Sequence, residues 1–562
     1  MKQFSLLQSI LAVACAVPTA LGAPARACSP TARIHNGTVQ GLYNQAFHQD
    51  FFLGMPYAQP PEGNLRFRRP VPINETWSTT LNATAYGNHC INNPVAFSLN
   101  PTGVTYPEGE DCLSVNVVRP SGTTDRSNLP VLVWIHGGGF QEGGSGDGRY
   151  NMSYLVRNSV EMGYPTVMVS FNYRLNGWGF LAGQEVEGAG LLNLGLLDQR
   201  LALQWVQENI RAFGGDPHKV TIQGESAGGS SVGFHLMAYG GRDDKLFRAA
   251  IIESSSPLNV QTFATPTERQ VHYDSIVNDT GCTGAVDTLG CLREAPFDKI
   301  KSALSTHWLD PVLDGTFIQG FRTIGLREGS FVKVPLLIGT NTDEGRLFVG
   351  NGVNTTDEFR NYVANTSFFG VPKSEESVDL VLDFYPTEID ETDYPPQFGA
   401  QYGRVQQYIT DFSFTSGKRF SARRWSDFSQ PVYTYRFNTL PNGFDLGSVG
   451  VTHFLEVAFV FNNVPGTGMS VSSFDVSPPA RKQQYLQLGQ LMSRMWLSFA
   501  NTLDPNNHKV PSVNVSWPQW TPAEPRNIVF DGNLTSIAYV EKDDWREEAV
   551  NMLIDRALDW GR

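Results

Sequence analysis

The sequence predicts an α/β fold: a large, mostly parallel central sheet flanked by helices, with long loop insertions. Three observations predict it. Short apolar runs rich in β-branched residues recur at 131–135, 166–171, 220–222, 249–252, 336–338 and 432–437, the pattern of strands buried on both faces. Helical segments lie between them, as in alternating α/β architectures. The runs starting at 131, 220 and 249 follow at crossover distances, which argues for parallel order because a tight hairpin cannot join parallel strands. With 562 residues, 41% hydrophobic and 17% charged, the chain can bury a sizeable core and is neither disordered nor a coiled coil. A formal charge of −13 and a pI near 5.3 argue against a phosphate-binding surface, and so against a nucleic-acid partner. Mean hydropathy is −0.23, and no apolar run near 18 residues occurs beyond the N-terminus, which excludes a membrane span.

The elements follow in chain order. Lys2, an apolar stretch over 6–17 and the small residues around Ala20 and Gly22 have the order of a cleavable secretory leader, cut near Gly22–Ala23. We therefore expect a leader over 1–22 and a single α/β domain over 23–562, exported from the cell. Nine Asn-x-Ser/Thr sequons, at Asn36, Asn74, Asn82, Asn151, Asn278, Asn354, Asn365, Asn514 and Asn533, are glycosylation candidates consistent with export. Of six cysteines, Cys15 leaves with the leader. Cys282 and Cys291 can close a small loop and Cys90 and Cys112 a larger one, both reasonable in an oxidising compartment. That leaves Cys28 as the odd thiol. No CxxC, HExxH or HxxH spacing occurs, so a zinc site has no support.

The strand at 131–135 runs into His136-Gly137-Gly138-Gly139-Phe140. Three glycines after a strand let backbone N–H groups approach a ligand with no side chain in the way. A helix follows from about Leu196 to Phe213, with Leu203, Val206, Ile210 and Phe213 on one stripe and Gly214-Gly215 as its stop. The run 220–222 then leads into Gly224-Glu225-Ser226-Ala227-Gly228. A serine on a sharp strand-to-helix turn takes a strained backbone that aims its Oγ outward, and the flanking glycines give the crowded turn room. The two glycine motifs together make Ser226 a candidate nucleophile, with Gly138, Gly139 and Ala227 as N–H donors to a developing oxyanion.

A base and an orienting acid should lie downstream. His235 reads as a packing residue on the helix after the turn, and His508 as a solvated loop residue. His453, His272 and His307 remain open by spacing alone. Past the strand at 336–338, Asp343 and Glu344 both stand where α/β sites place a carboxylate, and neither is preferred. Two further helices are expected, over about 479–501 and after Trp545.

The chain resembles the type-B carboxylesterase/lipase family of α/β-hydrolases, which also holds cholinesterases and secreted fungal lipases. The markers are 52–58, Glu110-Asp111-Cys112-Leu113, 136–140, 172–175, 213–217, 224–228, 341–345 and 450–453, in order across nearly the whole mature chain. The resemblance implies Ser226 as nucleophile, Glu344 as acid, His453 as base, and disulfides Cys90–Cys112 and Cys282–Cys291. It implies a secreted serine ester hydrolase acting on a small-molecule ester with no cofactor and no metal. Ser114 departs slightly from the family pattern. The loop 91–111 contains no Trp, so stacking of choline is not expected; short and broken by Pro94, Pro101 and Pro107, it argues against a large lid. Phe140, Trp308 and Leu309 either shape the pocket or pack the core. The competing readings are a triacylglycerol lipase or sterol esterase and, in another class, a non-catalytic adhesion protein on the same scaffold.

Overall fold

Alternate residues of the strand Leu129–Ile135 enter two different cores. Val131, Val133 and Ile135 join one hydrophobic cluster, while Leu132 and Trp134 join another on the opposite face. Only a sheet covered on both sides places a strand this way. The structure, a computed structural model, describes residues 29–93, 104–258, 262–350, 352–365, 370, 372–389, 394–447, 449–511 and 513–562. The expected leader, Cys28, Pro94 and Pro101 lie outside the described residues.

The main sheet consists of β1 (Leu42–Asn44), β2 (Gln49–Pro56), β3 (Ser114–Pro120), β4 (Leu129–Ile135), β5 (Val167–Phe171) and β6 (Gly215–Glu225), followed by β7 (Ala249–Glu253), β8 (Leu336–Asn341), β9 (Val432–Phe437), β10 (Arg526–Phe530) and β11 (Ala538–Lys542). Their spatial order is β11-β10-β9-β8-β7-β6-β4-β5-β3-β2-β1. The strands from β5 across to β10 pair in parallel, whereas both edges are antiparallel. All six apolar runs are therefore strands, and those at 131, 220 and 249 are adjacent and parallel. A separate small sheet joins Thr31–Ile34, Gly37–Gln40 and Leu81–Asn82.

Four helices matter below: α1 (Leu194–Asn209), α2 (Ala227–Gly241), α3 (Arg322–Glu328) and α4 (Pro479–Thr502). The stripe Leu203, Val206, Ile210 and Phe213 is fully buried, and Gly214 ends its last turn at φ 83°, a conformation glycine adopts without a Cβ clash. On the opposite face α4 buries Leu488, Leu491, Met492, Met495 and Trp496 against Leu132 and Trp134. Among the described residues no helix is long and apolar enough to cross a membrane.

Two disulfides are present, Cys90–Cys112 and Cys282–Cys291. His508 is buried rather than solvated: it is 7% exposed, and its Nδ1 accepts the Val510 N–H at 3.1 Å. Asn36 stands apart from the other sequons. It is buried, and its amide nitrogen donates to the Ile73 and Glu75 carbonyls at 2.7 and 3.0 Å, a commitment that attachment of a glycan would break.

Candidate active site

The site forms where three strands of the parallel sheet end: β4, β6 and β8. Such carboxyl ends are where open α/β sheets place their chemistry. β6 stops at Glu225 and α2 starts at Ala227, so the whole reversal falls on Ser226. Its backbone sits at φ 58°, ψ −124°, in the sparsely populated region where strain accompanies function. Its N–H donates to the Glu253 carbonyl at 3.0 Å, tying the turn to β7. A Cβ on Gly224 would come within 2.4 Å of the Gly228 backbone, and one on Gly228 within 2.0 Å of the Ile135 carbonyl oxygen. The glycines are there because backbone crosses backbone.

β4 delivers the second part. Gly138 and Gly139 take φ 107° and 64°, and the Gly138 carbonyl accepts the N–H groups of Gln141 and Glu142. The loop thus curls back on itself. Among the described residues no acceptor takes the N–H of Gly138, Gly139 or Ala227. His136 anchors the loop from beneath: it is buried, stacks on Tyr173 with centroids 4.5 Å apart, and is pushed down to about 4 by burial, so it serves as a neutral packing group. Phe140 buries its ring between Phe180 and Phe234. The Trp308 ring stands 3.1 Å from where a Gly139 Cβ would be, so it covers the glycine loop, whereas Leu309 is buried core.

The candidate acids lie just past the end of β8. Glu344 is fully buried; its Oε1 accepts the Asn341 N–H at 2.7 Å and its Oε2 lies 2.7 Å from His453 Nδ1. The neighbouring Asp343 does something else: its Oδ2 accepts the Val451 N–H at 2.8 Å, pinning the loop that carries His453. His453 is 4% exposed, packed edge-on against the Phe348 ring at 5.0 Å and against the tilted Phe414 ring at 5.2 Å. Its bond to Glu344 takes Nδ1 as donor and leaves Nε2 as the free lone pair. The structure thus brings Glu344 and His453 together. It separates His272 and His307, which meet each other at 3.1 Å between their Nδ1 atoms, and His235 of α2, which is buried against Gln199 of α1.

Three more carboxylates surround this pair, and sequence reasoning passed over all three. Glu225 Oε1 lies 3.2 Å from His453 Nε2, and burial beside Glu456, Glu344 and Glu253 pushes its carboxyl well above the usual range. Glu456 accepts from Ser254 Oγ at 2.9 Å and Asn341 Nδ2 at 2.6 Å and is pushed up to about 7, first by burial and then by Glu344. Glu253 accepts from Gln223 and Trp496 and is pushed up to about 8, again chiefly by burial. Glu225 could have been found, since it adjoins Ser226 in the motif itself; Glu253 and Glu456 carry no local signal.

A strained serine at a strand-to-helix turn, free N–H groups on a glycine loop and a carboxylate-bound histidine define an α/β-hydrolase built for acyl transfer. Comparison with known families matches residues 28–544 to the carboxylesterase family. The chain is 35% identical to Lipase 4 of Diutina rugosa, covering 94% of this chain and 96% of that one. It is 34% identical to Secreted lipase 1 of Botryotinia fuckeliana, covering 88% of each. The crystal structure of Aspergillus niger EstA superposes with a TM-score of 0.82 at 29% identity, covering 95% of this chain and 99% of that one. The protein belongs to the carboxylesterase family and is a carboxylic ester hydrolase.

Proposed function

We propose that the protein is an exported serine carboxylesterase that works through an acyl-enzyme on Ser226. Ser226 Oγ attacks the ester carbonyl while its proton passes to His453 Nε2. Glu344 holds the imidazole in the tautomer that leaves Nε2 free and balances the charge of the imidazolium. The N–H groups of Gly138, Gly139 and Ala227 receive the oxyanion, each donor worth about 10²–10³ in rate. The imidazolium protonates the departing alcohol, and water, deprotonated in turn by His453, releases the acid and restores Ser226. No cofactor enters this cycle. The observation that carries the reading is the 2.7 Å Glu344–His453 bond beside a serine held at φ 58°.

Export rests on the leader-like N-terminus and on relatives such as the secreted lipase of Botryotinia fuckeliana. Glycans are proposed on the exposed sequons at Asn74, Asn82, Asn278, Asn354, Asn365, Asn514 and Asn533 and on half-buried Asn151. The triacylglycerol lipase reading is favoured by the names of the Diutina and Botryotinia relatives, the esterase reading by EstA. Hydrolysis of p-nitrophenyl esters from acetyl to palmitoyl separates them. Ser226→Ala should lose roughly 10⁵–10⁶ in kcat, and the wild type should peak on short acyl chains. A long-chain optimum with activation at a lipid interface would establish the lipase reading, and full activity in Ser226→Ala would overturn the mechanism.

A further inference from the structure

Arg322, the first residue of α3, is 2% exposed. Its guanidinium carbon lies 4.5 Å from the Phe234 ring centroid and 5.8 Å from that of Phe263, and Nη1 reaches the Gly233 carbonyl at 3.5 Å. Among the described residues Nε and Nη2 have no hydrogen-bond partner. Burial without an adjoining acid lowers its affinity for its proton to about 9, with only Asp314 acting in the other direction. Buried charges are ordinarily paired, since an uncompensated one is strongly destabilising. The missing counter-charge is the observation to explain.

Nε and Nη2 form one side of the guanidinium plane, the fork that a carboxylate fills with two parallel hydrogen bonds. Beside it lies a cleft of about 200 Å³, where the broken end of α2 meets α3; its walls include Met237, Phe321, Ile324 and Ser330 as well as Arg322. Met237 follows Ser226 by eleven positions, about 16 Å along a helix, so this cleft is separate from the serine site. Its walls are partly apolar. Glu328, exposed at the rim, opposes an anion carrying more than one charge.

We propose that this cleft binds a small organic monocarboxylate, whose two oxygens close the Nε/Nη2 fork of Arg322 while its short apolar tail lies on Met237, Phe321 and Ile324. The ligand is of the same chemical class as the acid that ester hydrolysis releases. Both donor atoms are shielded from bulk water, so binding requires the cleft wall to open toward them.

The test uses full-length protein whose Ser226 has been blocked with a phosphonate, so that the serine site cannot take up acid; the mass shift on blocking reports separately on Ser226. Calorimetric titration with butyrate should then show one saturable site, with inorganic phosphate binding at least tenfold more weakly. Arg322→Lys keeps a cation but loses the fork and should weaken butyrate at least tenfold, as should Arg322→Leu. Should the leucine variant not fold, the lysine variant and a crystal of unmodified protein soaked in butyrate decide, with the carboxylate expected on Nε and Nη2. No saturation, equal binding by Arg322→Lys, tighter binding of phosphate, or only water in the fork would each overturn the assignment.

Discussion

Neither oxygen of Glu225 finds a hydrogen-bond donor among the described residues, yet Oε1 stands 3.2 Å from His453 Nε2, the nitrogen proposed to take the Ser226 proton. A carboxylate there stabilises the imidazolium only when ionised, and burial holds its carboxyl well above the usual range. Glu225→Gln fixes the uncharged form. The ratio of wild-type to variant kcat/KM on a neutral ester should therefore be near one in acid and rise with pH as the wild-type carboxylate ionises, to about tenfold, or about 1.4 kcal/mol of transition-state stabilisation. A ratio flat across the profile would remove Glu225 from the chemistry. At this scale the sequence was legible where chemistry is local. Ser226 and the glycines announce themselves through steric need. Glu344 and Asp343 do not, because adjacent carboxylates differ only in which way the turn aims them: one toward His453, the other toward the Val451 N–H. Spacing alone did not separate His453 from His272 and His307; the family resemblance pointed to it and to Glu344, and the physical reason lies in a contact between distant segments.

The elements repeat that division. Six of the parallel strands were legible because burial on both faces makes each a continuous apolar run, and α1 because its stripe keeps helical period. Parallel β10 and the antiparallel strands β1, β2, β3 and β11 were not. β10 has only three apolar residues, after Arg526-Asn527, Asn116 and Arg119 interrupt β3, β1 and β11 are short or half-exposed, and β2 changes register between Phe52 and Met55, so no single period marks them. The turn between β6 and α2 shows how tightly elements constrain one residue. A methyl group on Gly228 would fall 2.0 Å from the Ile135 carbonyl oxygen and 2.9 Å from His136 backbone atoms, none of which can yield without moving β4. Gly228→Ala should therefore lose about 3 kcal/mol or more of stability, at the severe end for a point change, together with activity. Gly284→Ala, in the loop closed by Cys282–Cys291 and with nothing near its added methyl, should stay within about 0.5 kcal/mol. Chemical denaturation of the pair checks both. An unchanged midpoint for Gly228→Ala would mean that the strand and turn are not packed as described.

Over the whole molecule, the net charge of −13 was plain in the composition, but not that four glutamates would be drawn into one buried site. Glu225, Glu253, Glu344 and Glu456 are all fully buried, and together they link the serine turn, β7, β8 and the His453 loop. Their crowding gives stability a dependence on pH whose sign is fixed. Glu253 is pushed up to about 8 and Glu456 to about 7, from 4.5. A carboxyl raised on folding makes the native state bind more protons than the unfolded chain between those values. Its contribution is fully present below about 4.5 and is lost as pH rises through its folded value. These two groups should thus make the protein lose stability from about pH 5 to about pH 8 and level off above, several kcal/mol at most for Glu253 alone. Glu253→Gln keeps an oxygen for Gln223 and Trp496 and removes the titration. Melting temperatures from pH 5 to 9 should fall less steeply for this variant than for the wild type, with the two curves drawing apart toward alkaline pH in the variant's favour. Parallel curves would show that Glu253 carries no native proton across this range, and that the buried acids share their charge in some other way.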